Sequence, residues 1–506
     1  QASEVQVSEA QSSAGMIEEI LVTAQKRAFS AQLTPVALTA ATGETLRENG
    51  VTSALDLNGL SPSLSVASSN GQLQLTMRGV GNEIILSGIG EAGVAMHSNG
   101  VYLGSNVTAT AMFFDIERVE VMRGPQGTLW GRNSTGGAIN VIQKLPTEEF
   151  EGFAAIDYGN YNSLDLEAAV SGSMSDSVQG RIAVKHNKSD GFLKNLAPGG
   201  DDMGDENTIS VRASINVDLD SGSWLVAAGH SDWDISGRSV KQEGTSFPSG
   251  SPTIFGLPGG LAFSEIAYGE SAPAGKFETY STNPDAGEEA NFEYFTSELS
   301  LDLYNANLTI LTDFRQHERS YRVDGDFTPS ATESVFLDFT ESAEEFSQEI
   351  RLASAEDSAI NWVVGAYYYQ QELDLSTIVE WGAYPGIPDL LFEGAFGPEY
   401  SRVGVNFGGT LDIRSVGLFG QTTIPLNDRL AATLGLRYSS DKKESDEYTD
   451  FLLGGVGGMS LAPGADKFSE EWSDWTGKVG LEYKAAEDVF LFANISKGFK
   501  SGGINV

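Results

Sequence analysis

From Glu151 to the end of the chain, apolar and polar side chains alternate with a period of two. Leu164, Leu166, Ala168 and Val170 alternate with Asp165, Glu167, Ala169 and Ser171. Ile209, Val211, Ala213, Ile215 and Val217 interleave with Ser210, Arg212, Ser214 and Asn216. Leu430, Ala432, Leu434, Leu436 and Tyr438 interleave with Ala431, Thr433, Gly435, Arg437 and Ser439. This period predicts strands with one apolar and one polar face, as in an antiparallel sheet. The connections add a second signal. After a strand over 163–172 they run short (173–177), long (189–207), short (218–222) and very long (236–290). They continue short (304–306), medium (323–342), short (355–359), long (374–409), short (425–428), long (444–468) and short (484–488). Tight turns alternating with long loops are the rhythm of a transmembrane barrel, with short periplasmic turns and longer extracellular loops. A large secreted β-protein is the alternative reading of the alternation alone.

The upstream part follows other rules. Residues 1–16 are small and polar and predict a disordered lead-in. Ile17 to Gln25 is β-prone but isolated, and residues 17–32 read as that segment plus a linker. From about 33 to 147 the chain is glycine-rich, with short apolar runs at 73–77, 93–96 and 118–122, and predicts a compact α+β domain. The barrel portion spans 148–506 and holds about 13 strands. Single-chain bacterial barrels have an even number of strands, and an open edge is costly in lipid. The expectation is therefore a barrel that further strands, or another chain, would complete.

Composition narrows the function. Lys and Arg total 31 against 70 Asp and Glu, a net charge of −39, which argues against nucleic-acid binding. Forty per cent of residues are hydrophobic, so the charge does not imply disorder. Cysteine is absent, which removes disulfides, thiol catalysis and Cys-ligated metals. No run approaches ~18 apolar residues, so no transmembrane helix is expected, although barrel strands remain possible. No signal peptide is recognised, and a start at Gln1-Ala2 suits a processed form.

Several motifs run through this layout. Glu18-Glu-Ile-Leu-Val-Thr-Ala-Gln-Lys-Arg27 precedes the α+β domain. Within that domain stand Leu75-Thr-Met-Arg-Gly79, Asn99-Gly-Val-Tyr-Leu103, Ile116-Glu-Arg-Val-Glu-Val-Met-Arg-Gly-Pro-Gln-Gly127 and Leu129-Trp-Gly-Arg-Asn-Ser-Thr-Gly-Gly-Ala-Ile-Asn140. The barrel portion carries Phe346-Ser-Gln-Glu-Ile-Arg-Leu352 and Ser496-Lys-Gly-Phe-Lys-Ser-Gly-Gly-Ile-Asn505. Across essentially its whole length the chain resembles the TonB-dependent receptor family, in particular its iron-siderophore-receptor-like branch. One departure is Asn99, where Asp is more usual. The resemblance implies an α+β plug domain inside a transmembrane antiparallel β-barrel of 22 strands in the Gram-negative outer membrane. It implies import of a scarce large solute, most simply a ferric siderophore, driven by TonB and the proton-motive force. A glycan, vitamin or other nutrient is the alternative cargo. A surface binding or assembly protein completed by another chain is the alternative class.

The same resemblance assigns candidate residues. Glu18, Glu19, Ile20, Leu21, Val22, Thr23 and Ala24 would bind TonB by adding a strand to its sheet, which needs only a free, β-prone backbone. Arg78, Asn82, Glu83, Gly104, Ser105 and Phe113 would contact the ligand, an Arg and aromatics suiting an anionic, partly aromatic chelate. Glu120 and Arg123 on the plug would lock to Glu349 and Arg351, which alternation places on the lumenal face of their strand. The expected further partners are outer-membrane lipid, lipopolysaccharide and a small-molecule ligand.

Other chemistry fits poorly. Arg123-Gly-Pro-Gln-Gly-Thr lacks the Gly-Lys-Ser/Thr of a phosphate loop. The four histidines, His97, His186, His230 and His317, lack metal-ligand spacing, and His97 reads as packed rather than as a haem ligand. Asp201-Asp-Met-Gly-Asp-Glu206 reads as a solvated acidic loop, with Ca²⁺ or divalent-bridged lipopolysaccharide as the alternative. No cofactor, metal or nucleophile–base pair is expected, and hence no enzyme.

Overall fold

The computed structural model describes residues 20–69, 72–81, 91–105, 108, 111–196, 201–236, 278–279, 287–324, 335–355, 358–381, 403–453, 459–460, 464–487 and 489–503. The chain opens on a short hairpin of β1 (Leu21–Val22) and β2 (Phe29–Ser30). The plug follows with β3 (Ala37–Thr42) and α1 (Gly43–Glu48), whose start is capped by the Thr42 hydroxyl accepting from the Thr45 N–H. Next come β4 (Leu64–Ser69), β5 (Gln72–Met77), β6 (Val80–Gly81), β7 (Val94–Ser98), β8 (Val101–Tyr102), β9 (Ile116–Arg123) and β10 (Gly137–Gln143). A five-stranded sheet in the order β3-β9-β10-β7-β8 packs against the three-stranded β4-β5-β6. Leu57, Leu75, Met77, Val119, Val121 and Ile139 form the buried core between them.

Two local features explain conspicuous residues. Asn99 and Gly100 both have positive φ (49° and 82°) in the turn joining β7 to β8. Asn tolerates that conformation, and its Oδ1 accepts from the Gln143 N–H at 2.9 Å, so the departure at 99 keeps the turn. At Gly137 a Cβ would lie 2.3 Å from Met77 Sδ and 2.4 Å from the Met122 carbonyl. The glycine pair thus lets the two plug sheets approach each other.

The rest of the chain is one meandering antiparallel sheet. Its strands are β11 (Glu151–Tyr158), β12 (Leu164–Ser175), β13 (Val178–Ser189), β15 (Glu206–Leu219), β16 (Gly222–Ile235), β18 (Gly287–Leu303) and β19 (Ala306–Asp324). It continues with β20 (Val335–Ser354), β21 (Asn361–Trp381), β22 (Val403–Pro425), β23 (Leu430–Leu453), β25 (Gly464–Ala486) and β26 (Val489–Ser496). Three two-residue strands lie beside this path: β14 (Lys194–Asn195) pairs β17 (Glu278–Thr279), and β24 (Met459–Ser460) pairs β23. The 13 strands of the path match the number expected from alternation. The described residues among those read as loops at 323–342, 374–409 and 444–468 are instead strand. Of these, 444–447 continue a run from Ser439 that is polar on both faces, which erases the period-two signal there without weakening cross-strand hydrogen bonding in water.

Register places the membrane. On the outward face Leu299, Ile310 and Ile350 are direct partners, and nearer the outside so are Phe295, Phe314 and Phe346. One row further out, Glu344, Glu372, Asp412 and Glu444 stand opposite one another on β20 to β23. From Leu308 to Phe314 the outward positions of β19 are apolar or Thr, and Gln316 and Glu318 follow. A tilted barrel strand crosses the hydrocarbon in ~9–11 residues, so the phenylalanine row marks the outer boundary of the lipid.

Candidate functional site

The site is the contact between plug and wall, beginning at the N-terminal hairpin. Val22 and Ala24 are buried, and Trp130 Nε1 donates to the Ala24 carbonyl at 2.8 Å. The Thr23 N–H donates to Glu120 Oε1 at 2.8 Å, and Arg118 Nε bonds the same oxygen at 3.0 Å. Burial raises the Glu120 carboxyl above the usual range, and the Thr23 N–H opposes this. Lys26 Nζ sits 3.3 Å from Glu349 Oε2 on the wall and 4.6 Å from the centre of the Trp130 ring. Burial lowers the Lys26 pKa, and the Glu349 charge opposes that. Arg27 donates to Ser354 Oγ at 2.9 Å and to Asn361 Oδ1 at 3.2 Å. The hairpin therefore straps the plug to strands β20 and β21.

Two ionic clusters pin the plug elsewhere. Asp115, almost fully buried, takes a two-pronged contact from Arg181 (2.6 and 2.8 Å) and a further bond from Arg212. On the opposite side Glu91 pairs with Arg132 of the plug and with Lys443 of the wall at 2.6 Å, while Arg132 Nε faces Asp441 at 3.3 Å. Burial disfavours the charged form of Glu91, but the Arg132 and Lys443 charges prevail and bring its carboxyl down to about 2. His97 is buried edge-on to Trp130, 4.6 Å between centroids, and burial holds its imidazole well below the usual pKa. It is packed, as its sequence context suggested.

The expected site residues divide accordingly. Glu18 and Glu19, and likewise Asn82 and Glu83, lie outside the described residues. Ile20 to Ala24 lie in and beside the strap, with Leu21 and Val22 already paired to Ser30 and Phe29. Arg78 is exposed at a left-handed turn (φ 52°) after β5. The Gly104 N–H donates to Glu345 Oε2 at 3.2 Å, and the Ser105 hydroxyl reaches Glu341 Oε1 at 3.3 Å, so both tether the plug to the wall. Phe113 is buried in the plug core and presents no face to a ligand.

The lock has different plug partners from those expected. Glu349 and Arg351 do pair at 2.8 Å, but the plug cation facing Glu349 is Lys26. Glu120 turns to the strap because β9 is the inner strand between β3 and β10. Arg123 donates to the carbonyls of Ala37 and Leu38 on β3, at 3.3 and 3.5 Å. The signal that would have found Arg181 and Arg212 was present: charges at mid-strand on the lumenal face. The acidic run 201–206 is taken up locally, Asp202 by the Asn195 N–H and Asp205 by Ser236. No cluster of three or more metal-ligating side chains occurs among the described residues.

On the flank formed by β16 and β18, Ala111 and Met112 of the plug meet Trp233, Ala290, Phe292 and Tyr294. Nearer the periplasmic turns this flank and the neighbouring β19 and β20 border a cavity of about 740 Å³, walled on one side by Thr23, Lys26, Arg27 and Ala28.

The profile described as "TonB-dependent Receptor Plug Domain" matches residues 30–138, and that described as "TonB dependent receptor-like, beta-barrel" matches 229–506. The chain belongs to the TonB-dependent receptor family. This is a family of outer-membrane β-barrel receptors rather than enzymes. The pesticin receptor of Yersinia pestis is 24% identical over 99% of this chain and 66% of its own length. The vitamin B12 transporter of Vibrio vulnificus is 30% identical over 31% of this chain and 26% of its own. In fold, the chain is similar to the ferric yersiniabactin uptake receptor of Yersinia pestis, with a TM-score of 0.74 at 18% identity, covering 93% of this chain and 66% of that one. The chain thus spans just under two thirds of the pesticin receptor.

Proposed function

We propose that this TonB-dependent receptor imports a scarce, bulky solute, a ferric siderophore in the first instance, using the proton-motive force delivered by TonB. The observation that carries the reading is the strap. Ile20 to Ala24 belong to the segment expected to bind TonB, and the same strap holds plug and wall through Thr23–Glu120 and Lys26–Glu349. Tension applied upstream is therefore delivered to the plug–wall contact. Strand addition to TonB needs a free backbone edge, and the resting strap uses its edge in pairing with β2. Release of the strap is thus the step that precedes TonB capture of Ile20 to Ala24, with Glu18 and Glu19 ahead of them. Among the expected ligand contacts that are described, Arg78 is the exposed one.

The test is the abundance of the protein in outer membranes isolated from iron-starved and iron-replete cells. Strong induction by starvation supports a ferric chelate as cargo. Unchanged abundance moves the cargo to a vitamin, a glycan or another nutrient, with carbon source as the next variable.

A further inference from the structure

We infer that the solute passes the plug along its β18–β19 flank and leaves through the cavity beside the strap. This rests on the import reading above and adds the route. The argument starts from what holds the plug on each side. On β13 and β15 it is pinned by Asp115 with two arginines, and on β23 by Glu91 with Arg132 and Lys443. Separating a buried ion pair leaves uncompensated charges and is strongly unfavourable. Against β16 and β18 the plug rests on the apolar cluster around Phe292 and Tyr294. Apolar faces separate without leaving a charge stranded.

The wall on this flank is polar from the periplasmic end inward. Asp302, Ser300 and Glu298 succeed one another at alternate positions of β18 and border the cavity. Above them Asp313 and Arg315 of β19 form a pair, at 2.5 Å. At that level three buried polar atoms have no hydrogen-bond partner among the described residues: Arg315 Nη1, Tyr294 Oη and Arg212 Nη1. Buried donors and hydroxyls without partners are places where water or a ligand's acceptors complete the bonding. The seam is thus built for something polar to occupy it. The cavity below is of the size that holds a small-molecule ligand. Its remaining walls are the plug, through Asn99, Gly100, Arg118 and Trp130, and the strap, the part of the structure that tension reaches first. Withdrawing Thr23 to Ala28 opens the cavity sideways while the ionic pins keep the plug inside the barrel.

These 506 residues contain no cysteine, and with any thiol elsewhere in the receptor replaced by serine the route is testable by single thiols. In the full-length receptor in cells, single thiols are introduced as Ser300→Cys in the cavity, Asn494→Cys on the lumenal face of β26, and Ser177→Cys in a periplasmic turn. Each is reacted with fluorescein maleimide, or with methyl methanethiosulfonate as a small control, and labelling is scored on a gel. Radio-iron ferric yersiniabactin and radiolabelled cobalamin serve as probes, and surface binding is measured separately from uptake. The expected result is loss of uptake, with binding retained, only for fluorescein at position 300. Normal uptake with position 300 fully labelled by fluorescein overturns the route, as does loss at 494 but not at 300. Absence of uptake of both probes by the unlabelled receptor, with either probe bound or not, overturns the import reading for these cargoes and this inference with it.

Discussion

Asp115→Asn isolates the worth of one plug–wall pin. Asp115 has positive φ (50°) and is almost fully buried, so a same-shape residue that tolerates this backbone leaves the fold unchanged. The substitution deletes the one carboxylate that Arg181 and Arg212 share. Arg181 keeps Glu151, at 2.7 Å, whereas Arg212 keeps only the Lys144 carbonyl, at 3.0 Å, among its described hydrogen bonds. Leaving a buried guanidinium unbalanced costs about 3–5 kcal/mol. With a urea dependence of about 2 kcal/mol per molar, the plug's unfolding midpoint falls by about 2 M. Pulse proteolysis of purified receptor across a urea series reads this, because plug cleavage is visible while the barrel stays resistant. Adding Arg212→Leu to the variant should recover part of the loss, since it removes the stranded charge. A fall worth less than about 1 kcal/mol, the scale of a neutral hydrogen bond, would refute the reasoning.

Three further outcomes are expected. Glu91 titrates near 2 when folded and near 4.5 when unfolded, so its contribution is fully present above pH 4.5 and is lost as pH falls through 2. That difference is worth about 3 kcal/mol, so Glu91→Gln lowers the urea midpoint at pH 6 but converges on the unaltered protein at the acid end. Lys26→Met frees the strap from Glu349, which retains Arg351, so amide exchange at residues 21–28 accelerates while the thermal midpoint of the plug barely moves. Gly104→Ala places a Cβ 2.0 Å from Tyr369 Oη and costs about 1–3 kcal/mol. That hydroxyl has no partner among the described residues, so Tyr369→Phe alone is near neutral and rescues the alanine variant in a double-mutant cycle.

Much of the architecture was legible because a half-buried strand writes its two faces into alternate residues. The 13-strand path, the left-handed turn at Asn99-Gly100 and the packed His97 follow from such local rules. The partners of the lock do not. Which face of β9 the strap covers depends on β3 entering the sheet beside it, a long-range pairing that spacing around Glu120 and Arg123 leaves open. Phe113 was assigned by resemblance to the family, yet it folds into the plug core. Lys443 and Asp441 stand at the edge of a stretch polar on both faces, where strand and loop read alike. Arg212 was visible as a charge in the middle of a strand, but its partner lies 97 positions away.

The overshoot of the strands has a consequence for how such a receptor diversifies. β23 is 24 residues long, of which ~9–11 suffice to cross the hydrocarbon. The remainder stands above the lipid as a stiff paired arm whose register is fixed from below. Recognition at the tips is thereby insulated from the anchor: a tip can be lengthened, shortened or exchanged without disturbing a single lipid-facing contact. Selection can act there while the crossing strands stay under the joint constraint of the membrane outside and the plug inside.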